Sequence, residues 1–358
     1  MILAMHMANE LLSIPVAALT LALTALIVAV AAARAQRTLS AERLPLMGVL
    51  GAFVFAGQMI NFTLPGMPGT SGHLGGGVLL AIILGPWAAI VTMSAILVVQ
   101  CLLFQDGGLL ALGCNILNMG VVPCLAGWGI YRLLLGRAQT ATPRRQYLAA
   151  WAACVVGVTA GAALVPVQAA LSGVLRIPTT HFLAVMVGVH LLIGFIEGLI
   201  TFTVVAYLRQ VRPAALGLAT VDPSGGRLSR GMVAATLLAT AALLAGVVAW
   251  FASDYKDGLE WSLLEHRYGG SAQALAEPSP AVASVTDWQS RWTPMTDYTR
   301  RSAPLGEMPP ESEAQGDGTG SVVKPWGSLA GLLGTAVTLI VLYLASRLLR
   351  RRTPAHAH

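Results

Sequence analysis

Long apolar stretches alternate with short polar connections along most of this chain. The apolar stretches cover residues 11–33, 44–63, 77–104, 109–135, 147–172, 181–208, 232–252 and 327–346. They contain about 20 or more residues each, which is the length of a helix that crosses the hydrocarbon core of a bilayer. The pattern predicts an all-α polytopic membrane protein. One polar stretch, 253–326, is too long and too charged to lie in the bilayer.

Basic residues are concentrated in the short connections and near the C-terminus, within 34–43, 132–146, 209–231 and 347–352. Short loops rich in Arg and Lys stay on the cytoplasmic side of a membrane. We therefore expect a multi-pass protein in the lipid of a bacterial inner (cytoplasmic) membrane, with its N-terminus outside and its C-terminus in the cytoplasm. The segment 253–326 holds 11 of the 16 acidic residues and is then outside.

For this orientation to hold, the stretch 77–104 must enter the membrane and return to the same side. A single crossing would put the basic loop 132–146 outside. Gly85-Pro86 lies near its middle, and proline removes a helical donor and breaks or kinks the helix. Interrupted helices at membrane depth occur where protein covers the freed backbone, and transporters use them to build ion sites. We predict two short passes or a hairpin here, hence seven passes in the first 210 residues and two more afterwards.

Four regions follow from this organisation. They are a membrane domain at 1–210, a cytoplasmic linker at 211–231, a second module at 232–346 with two membrane helices around the outer segment 253–326, and a basic cytoplasmic tail at 347–358. Within the outer segment, residues 270–325 are rich in Ala, Ser, Pro and Glu and have little apolar periodicity. We expect most of them to be flexible.

Composition supports a membrane protein and narrows its function. Of the 358 residues, 56% are hydrophobic and 11% are charged, against about 25% charged in soluble domains. The net charge of +6 comes from membrane-flanking loops and does not indicate nucleic-acid binding. The four cysteines lie in apolar stretches without CxxC spacing, which argues against a disulfide framework or a zinc site. HExxH, GxSxG and Walker A motifs are absent, so we expect no enzyme and no cofactor.

A candidate metal site begins at Met5-His6. If Met5 is the first residue, its free amine, the amide nitrogen of His6 and Nδ1 of the His6 ring can close two fused rings around one cation. Three nearly coplanar nitrogens suit square-planar Ni(II) or Cu(II) better than zinc or magnesium. His73, in the glycine-rich loop 69–77, can supply a fourth nitrogen from the same outer face. A start at Met1 would remove the amine donor.

Polar residues at apolar depth are the other candidates for function. Asn115 and Asn118 can orient a ligand histidine or join helices, and we favour both roles over direct ligation. His190 and Glu197 are seven residues apart and share a helix face. For Glu197 we favour helix packing or loop anchoring over metal ligation. Weaker candidates of the same kind are Gln58, Gln100 and Asp106, of which Asp106 begins an Asp-Gly-Gly sequence typical of a turn.

Four separated motifs together resemble one known family. They are Met5-His6-Met7, Gly69-Thr70-Ser71-Gly72-His73-Leu74-Gly75-Gly76, Phe104-Gln105-Asp106-Gly107-Gly108-Leu109 leading to Gly113-Cys114-Asn115-Ile116-Leu117-Asn118-Met119, and His190-Leu191-Leu192-Ile193-Gly194-Phe195-Ile196-Glu197-Gly198. With them, residues 5 to about 210 resemble the NikM/CbiM family, the substrate-binding membrane (S) components of energy-coupling-factor (ECF) transporters for nickel and cobalt. The sequence from Asp254 to Trp261 is similar to the PDGLE signature of the small N component (NikN) of these systems. It has Lys256 where the signature has proline.

The resemblance implies a seven-helix binding component with Met5, His6 and His73 as metal ligands. It implies an ABC-type importer in which a NikQ/CbiQ-like coupling (T) protein and two separate NikO/CbiO-like ATPases drive uptake, while the second module assists loading or stability. The loop around His73 looks more like nickel-type members than the Ser-His-Pro loop of cobalt members, and Co(II) is the alternative substrate. A deprotonated amide donor also predicts weaker binding at acid pH, because protons compete for the donors.

Two other functions compete with metal capture. A self-contained ion-coupled transporter would use Glu197, His190 and Asp106, but the sequence supplies few ionisable groups for a continuous line through the membrane. A membrane enzyme would hold a metal at His73 and His190. The predicted topology argues against it, because it puts His190 near mid-depth and His73 near the surface.

Overall fold

The computed structural model describes residues 6–39, 44–136, 141–211, 213–216, 229–253, 255–264, 274–298 and 325–349. Within them the first module contains seven helices: α1 (Ile14–Thr38), α2 (Leu44–Gln58), α3 (Gly77–Leu84), α4 (Pro86–Phe104), α5 (Leu112–Leu135), α6 (Pro143–Leu171) and α7 (Thr179–Val211). All except α2 and α3 are apolar and long enough to cross a membrane. The predicted all-α polytopic fold is confirmed.

The second module adds two apolar helices and an outer part. Its elements are α8 (Arg230–Gly246), α9 (Gly258–Leu264), α10 (Pro280–Trp292) and α11 (Pro325–Leu349). Of these, α11 has the length and hydropathy of a membrane span, while α8 is shorter. Within the described residues, the seven helices of the first module and the two apolar helices of the second agree in number with the predicted seven plus two. Only six of these nine are both long and apolar enough to cross a membrane.

Several helices begin at recognisable sequence signals. The hydroxyl of Thr142 accepts a hydrogen bond from the backbone of Arg145, and Pro143 follows as the first helical residue of α6. Ser279 and Pro280 act in the same way at the start of α10. A hydroxyl at the N-cap satisfies one of the free N–H groups, and proline at the next position has none to satisfy there.

The break within 77–104 occurs at Gly85. This residue has φ of 85°, a left-handed value that glycine adopts without steric cost, and Pro86 then starts α4. With eight residues, α3 is only about 12 Å long, far less than the roughly 30 Å of a bilayer core. Its side chains Val78, Leu79 and Leu80 are fully buried. The predicted interruption is confirmed, and its first half is a short helix enclosed by the bundle.

The two modules share one hydrophobic core. Leu50 and Phe55 of α2 belong to the same buried cluster as Leu237 of α8 and Leu342 of α11. The outer faces of the helices carry many exposed apolar side chains, such as Leu19, which is 69% exposed. Apolar faces of this extent are suited to contact with lipid. The second module is thus packed on the first through α2.

Part of the outer segment is ordered, contrary to the expectation for residues 270–325. Residues 274–298 include α10, and the side-chain amide of Asn9 donates hydrogen bonds to Thr286 (3.0 Å) and Gln289 (3.2 Å) on this helix. The expectation of flexibility is wrong for 274–298, because the contacts that order it come from distant residues and leave no local pattern. Residues 299–324 lie outside the described part of the chain.

A small three-stranded sheet joins the two modules. Strand β1 (Phe62–Thr63) pairs antiparallel with β2 (Thr70–Gly72), and β2 pairs in parallel with β3 (Lys256–Asp257). The strand that leads into the loop of His73 is therefore hydrogen-bonded to the signature sequence of the second module.

Close helix contact at Gly161 gives a test of this packing. A Cβ added at Gly161 in α6 would lie 2.0 Å from the backbone oxygen of Asn118, so we expect Gly161→Ala to destabilise the bundle by about 1–3 kcal/mol. The matched control is Gly188→Ala in α7, where an added Cβ meets no described atom within 4 Å. Thermal unfolding in detergent should show a lower midpoint for the first variant only. Equal midpoints would contradict the packing.

Candidate metal centre

A cavity of about 90 Å³ lies between the N-terminal segment, the loop before α3 and helices α5, α6 and α7. Six polar residues singled out in the sequence line it, namely His6, His73, Asn115, Asn118, His190 and Glu197. Apolar side chains including Met186 and Ile193 form most of the remaining wall. The tertiary structure therefore gathers these candidates around one small volume. Met5, the other predicted ligand, lies outside the described residues.

The N-terminal segment is held in the bundle by Asn115. Its side-chain oxygen accepts a hydrogen bond from the backbone N–H of Met7 at 2.9 Å, and its side-chain nitrogen donates to the Met7 carbonyl at 3.1 Å. The N–H of Gly108 donates to the same carbonyl at 2.9 Å. These contacts place His6, which is 2% exposed, at the wall of the cavity.

The ring of His6 is held by a carboxylate. Its Nδ1 lies 2.6 Å from Oδ1 of Asp106, and both side chains are buried. The hydroxyl of Tyr298 donates to the other oxygen, Oδ2, at 2.5 Å. Because an ionised carboxylate only accepts hydrogen bonds, Nδ1 carries the proton. Asp106 was expected to be a turn residue of minor importance; instead it contacts the candidate ligand directly.

Burial and charge act in opposite directions on the pKa values of this pair. Burial by itself lowers the pKa of His6, but the charge of Asp106 and its hydrogen bond outweigh that effect, so the pKa is raised. Burial by itself raises the pKa of Asp106, but the charge of His6 and the hydrogen bonds from His6 and Tyr298 lower it overall. The charged forms are favoured together, and a metal that takes Nδ1 must displace a proton.

His6 and His73 face each other in the cavity. Their ring centroids are 5.6 Å apart with an interplanar angle of 68°. Nε2 of His6 is buried and has no hydrogen-bond partner among the described residues. No group of three or more His, Cys, Asp or Glu side chains with metal-binding geometry occurs within the described ranges. Two imidazoles can thus approach one cation, but a full coordination shell needs further donors.

Glu197 anchors the loop that carries His73. Its carboxylate accepts hydrogen bonds from the backbone N–H groups of Gly75 at 2.7 Å and Gly76 at 3.0 Å. The side chain of Gln58 donates to the carbonyl of Gly75 at 2.9 Å and accepts from Gln100 at 3.0 Å. The preference for loop anchoring at Glu197 agrees with these contacts, and Gln58 and Gln100 belong to the same support.

His190 lies closer to His73 than the predicted topology suggested. Both residues line the cavity, so a difference in depth between His190 and His73 does not keep their side chains apart. The loop of His73 enters the bundle between helices, which a count of spans does not reveal. Nδ1 of His190 is 2.8 Å from the backbone oxygen of Met186, so it donates there and Nε2 is left as the acceptor.

Two residues near the cavity were not identified from the sequence. Gln168 of α6 and Asn118 exchange a pair of amide hydrogen bonds, both 2.8 Å long. Tyr298 contacts Asp106 from the outer segment. A glutamine in an apolar helix is a signal that could have identified Gln168, whereas nothing local distinguishes Tyr298.

The signature sequence of the second module reaches the cavity. Leu259 lines it, and the hydroxyl of Ser71 in β2 donates to the backbone oxygen of Tyr255 at 2.8 Å. Asp257 accepts a hydrogen bond from the backbone N–H of Glu260 at 2.7 Å. Burial raises the pKa of Asp257 to about 7. The second module therefore contributes to the wall of the cavity and contacts the strand before the loop of His73.

Comparison with known families assigns both modules. Residues 6–215 match the family model described as the cobalt uptake substrate-specific transmembrane region, CbiM. Residues 231–351 match the PDGLE domain.

Individual relatives agree with this assignment. The fused nickel transport protein NikMN of Rhodobacter capsulatus is 31% identical over 323 residues, covering 84% of this chain and 91% of the relative. The cobalt transport protein CbiM of Geobacter sulfurreducens is 30% identical, covering 68% and 71%. A crystal structure of a transition metal transporter is 32% identical and has a TM-score of 0.50, covering 57% of this chain and 93% of that one.

The anchoring of the loop by Glu197 can be tested directly. In Glu197→Ala the N–H groups of Gly75 and Gly76 lose their acceptor, and an unsatisfied buried donor costs about 1–3 kcal/mol. We expect amide hydrogen exchange at both glycines to become roughly tenfold faster or more, with a smaller effect in Glu197→Gln. Glu260→Gln in the outer segment serves as the control. Unchanged exchange in Glu197→Ala would contradict the anchoring role.

Proposed function

Because the chain belongs to the CbiM family of metal-uptake transmembrane regions, fused to a PDGLE domain, we propose that it is the substrate-capture (S) component of an ECF-type importer for Ni(II). Its general role is that of a component of nickel or cobalt transport rather than an enzyme. The observation that carries the proposal is the pair His6 and His73, whose rings face each other in one small cavity.

Four nitrogens bind the metal in this proposal. They come from the amine of Met5, the amide and Nδ1 of His6, and the ring of His73. The two hydrogen bonds between Asn115 and the backbone of Met7 support this proposal, because they hold the segment that carries His6 at the cavity. Nδ1 of His6 donates to Asp106 in the metal-free arrangement, so capture requires the imidazole to turn away from that carboxylate.

Nickel is preferred over cobalt on two grounds. Nitrogen donors in one plane suit square-planar Ni(II), and the Rhodobacter capsulatus relative, which is named a nickel transport protein, matches the chain across both modules. Cobalt is the second candidate, because the matching family model is named for cobalt uptake.

Transport requires partners in this proposal. A NikQ/CbiQ-like coupling protein and two NikO/CbiO-like ATPases supply the energy, since the sequence lacks a nucleotide-binding glycine-lysine loop. The protein lies in a bacterial inner membrane with its N-terminus outside and its C-terminus in the cytoplasm, as the basic loops favour. Asn115, Asn118, His190 and Glu197 support the ligands without binding metal.

An ion-coupled mechanism gains no support from the contacts. The Glu197 carboxylate accepts hydrogen bonds from two loop N–H groups, His190 donates to its own helix, and Asp106 is paired with His6. These three groups have separate structural partners and do not form a relay among the described residues.

If the amine of Met5 is a ligand, nickel binding depends on whether the chain begins at Met5 or at Met1. Two purified versions, one beginning at Met5 and one carrying Met1 to Ala4 as well, should be loaded with nickel or cobalt. Bound metal is counted by mass spectrometry, and the visible spectrum reports square-planar nickel. We expect stoichiometric nickel only in the version that begins at Met5, because only its amine can close the small ring. Equal binding in both versions would exclude the amine ligand.

The loop histidine gives an independent test. We expect His73→Ala to lower nickel affinity by more than the roughly 10- to 100-fold that loss of an outer hydrogen-bond partner costs. His181→Ala is the matched control, since His181 does not line the cavity. Isothermal titration with nickel compares the two. Equal affinities would remove His73 from the site.

A further inference from the structure

Asp106 links the candidate ligand His6 in the first module to Tyr298 in the second module. One carboxylate oxygen binds Nδ1 of His6 from the first module, and the other accepts from Tyr298 of the second module. We propose that Tyr298 and Asp106 form a positioning pair that holds the His6 imidazole in its metal-free orientation, so that the second module controls access to the chelate. This inference rests on the proposed function.

Backbone geometry at this contact is unusual on both sides. Among the described residues, three that are not glycine have positive φ: Gln105 (54°), Asp297 (52°) and Tyr298 (58°). Gln105 directly precedes Asp106, and the other two residues form the turn that ends in the tyrosine. Left-handed conformations cost free energy for residues with a Cβ and persist where the surroundings impose them. The hydrogen bond between Tyr298 and Asp106 therefore joins two strained turns. Release of this hydrogen bond would allow both turns to relax, which suits a contact that opens and closes.

Other contacts hold Tyr298 in place beside Asp106. Its ring stacks on Phe104 with centroids 4.7 Å apart and an interplanar angle of 20°. The N–H of Met295 donates to the carbonyl of Leu103 at 3.2 Å. Nearby, the side chain of Gln289 donates to the carbonyl of Gly107 at 3.1 Å. The outer segment is therefore docked on the residues that flank Asp106.

Asp106 and the metal compete for Nδ1 of His6, and this competition determines whether the Tyr298 contact speeds or slows nickel loading. Nδ1 of His6 cannot donate to Asp106 and bind a metal at the same time. A contact that stabilises only the metal-free state lowers apparent metal affinity and slows loading. Tyr298 stabilises that state by fixing the carboxylate, so loss of its hydroxyl should favour capture. If Asp106 instead prepared His6 for metal binding, the same loss would weaken capture.

The test uses the full chain that begins at Met5. Tyr298→Phe keeps the ring that stacks on Phe104 and removes only the hydroxyl, and Asp106→Asn removes the charge. Tyr255→Phe, at an exposed tyrosine of the outer segment (47% exposed), is the matched control. Two measurements are made: ¹⁵N NMR of labelled histidines in the metal-free protein, with His6 assigned from His6→Ala, and the rate of nickel loading.

We expect Tyr298→Phe to shift the Nδ1 signal of His6 and to accelerate loading by roughly 10- to 100-fold, the range for losing a hydrogen bond to a charged group. Asp106→Asn should act in the same direction, and Tyr298→Phe should add nothing to it. Slower loading, or an unchanged Nδ1 signal in Tyr298→Phe, would overturn the proposal.

Failure of the proposed function would look different. The wild-type protein would then take up no nickel, while the metal-free NMR comparison would still decide whether Tyr298 orients His6. A thermal unfolding midpoint for each variant separates loss of fold from a change at the site.

Discussion

The paired hydrogen bonds between Asn115 and the backbone of Met7 are the contact on which the site depends. A backbone segment without regular secondary structure enters the bundle only if its polar groups find partners there, since burial without them costs free energy. Asn115 supplies both a donor and an acceptor to one residue. This brings His6 to the cavity wall, where Asp106 and His73 can approach it. Asn9 continues the attachment by contacts with the outer segment.

The second module is an integral part of the site. Strand β3 pairs with the strand that leads into the loop of His73, and Leu259 lines the cavity. Tyr298 reaches Asp106 from the other end of the outer segment. The fused arrangement keeps these contacts in one chain, so their formation does not require association of two proteins. A module docked on both histidine-bearing segments is well placed to affect how a metal enters.

Three carboxylates near the cavity have three different uses, set by their partners. Glu197 accepts from two backbone N–H groups and shapes a loop. Asp106 orients an imidazole, and Asp257 accepts from the backbone N–H of Glu260 in α9. Each is buried, and each has at least one hydrogen-bond donor, as a buried carboxylate requires. The same side-chain chemistry therefore gives support, positioning or capping according to what the fold brings beside it.

The sequence by itself determined the fold class, because a membrane helix is specified by about 20 local apolar residues and a break by one glycine and proline. It also singled out His6 from the Met-His pattern, His73 from its glycine-rich loop and Glu197 as a carboxylate in an apolar stretch, and all three line the cavity. Only the tertiary structure decided the roles of Asp106 and Tyr298 and the order of 274–298. The contact partners of Asp106 are 100 and 192 positions away along the chain. Hydrogen bonds between residues so far apart leave no periodic pattern in the sequence, so only the folded structure reveals them.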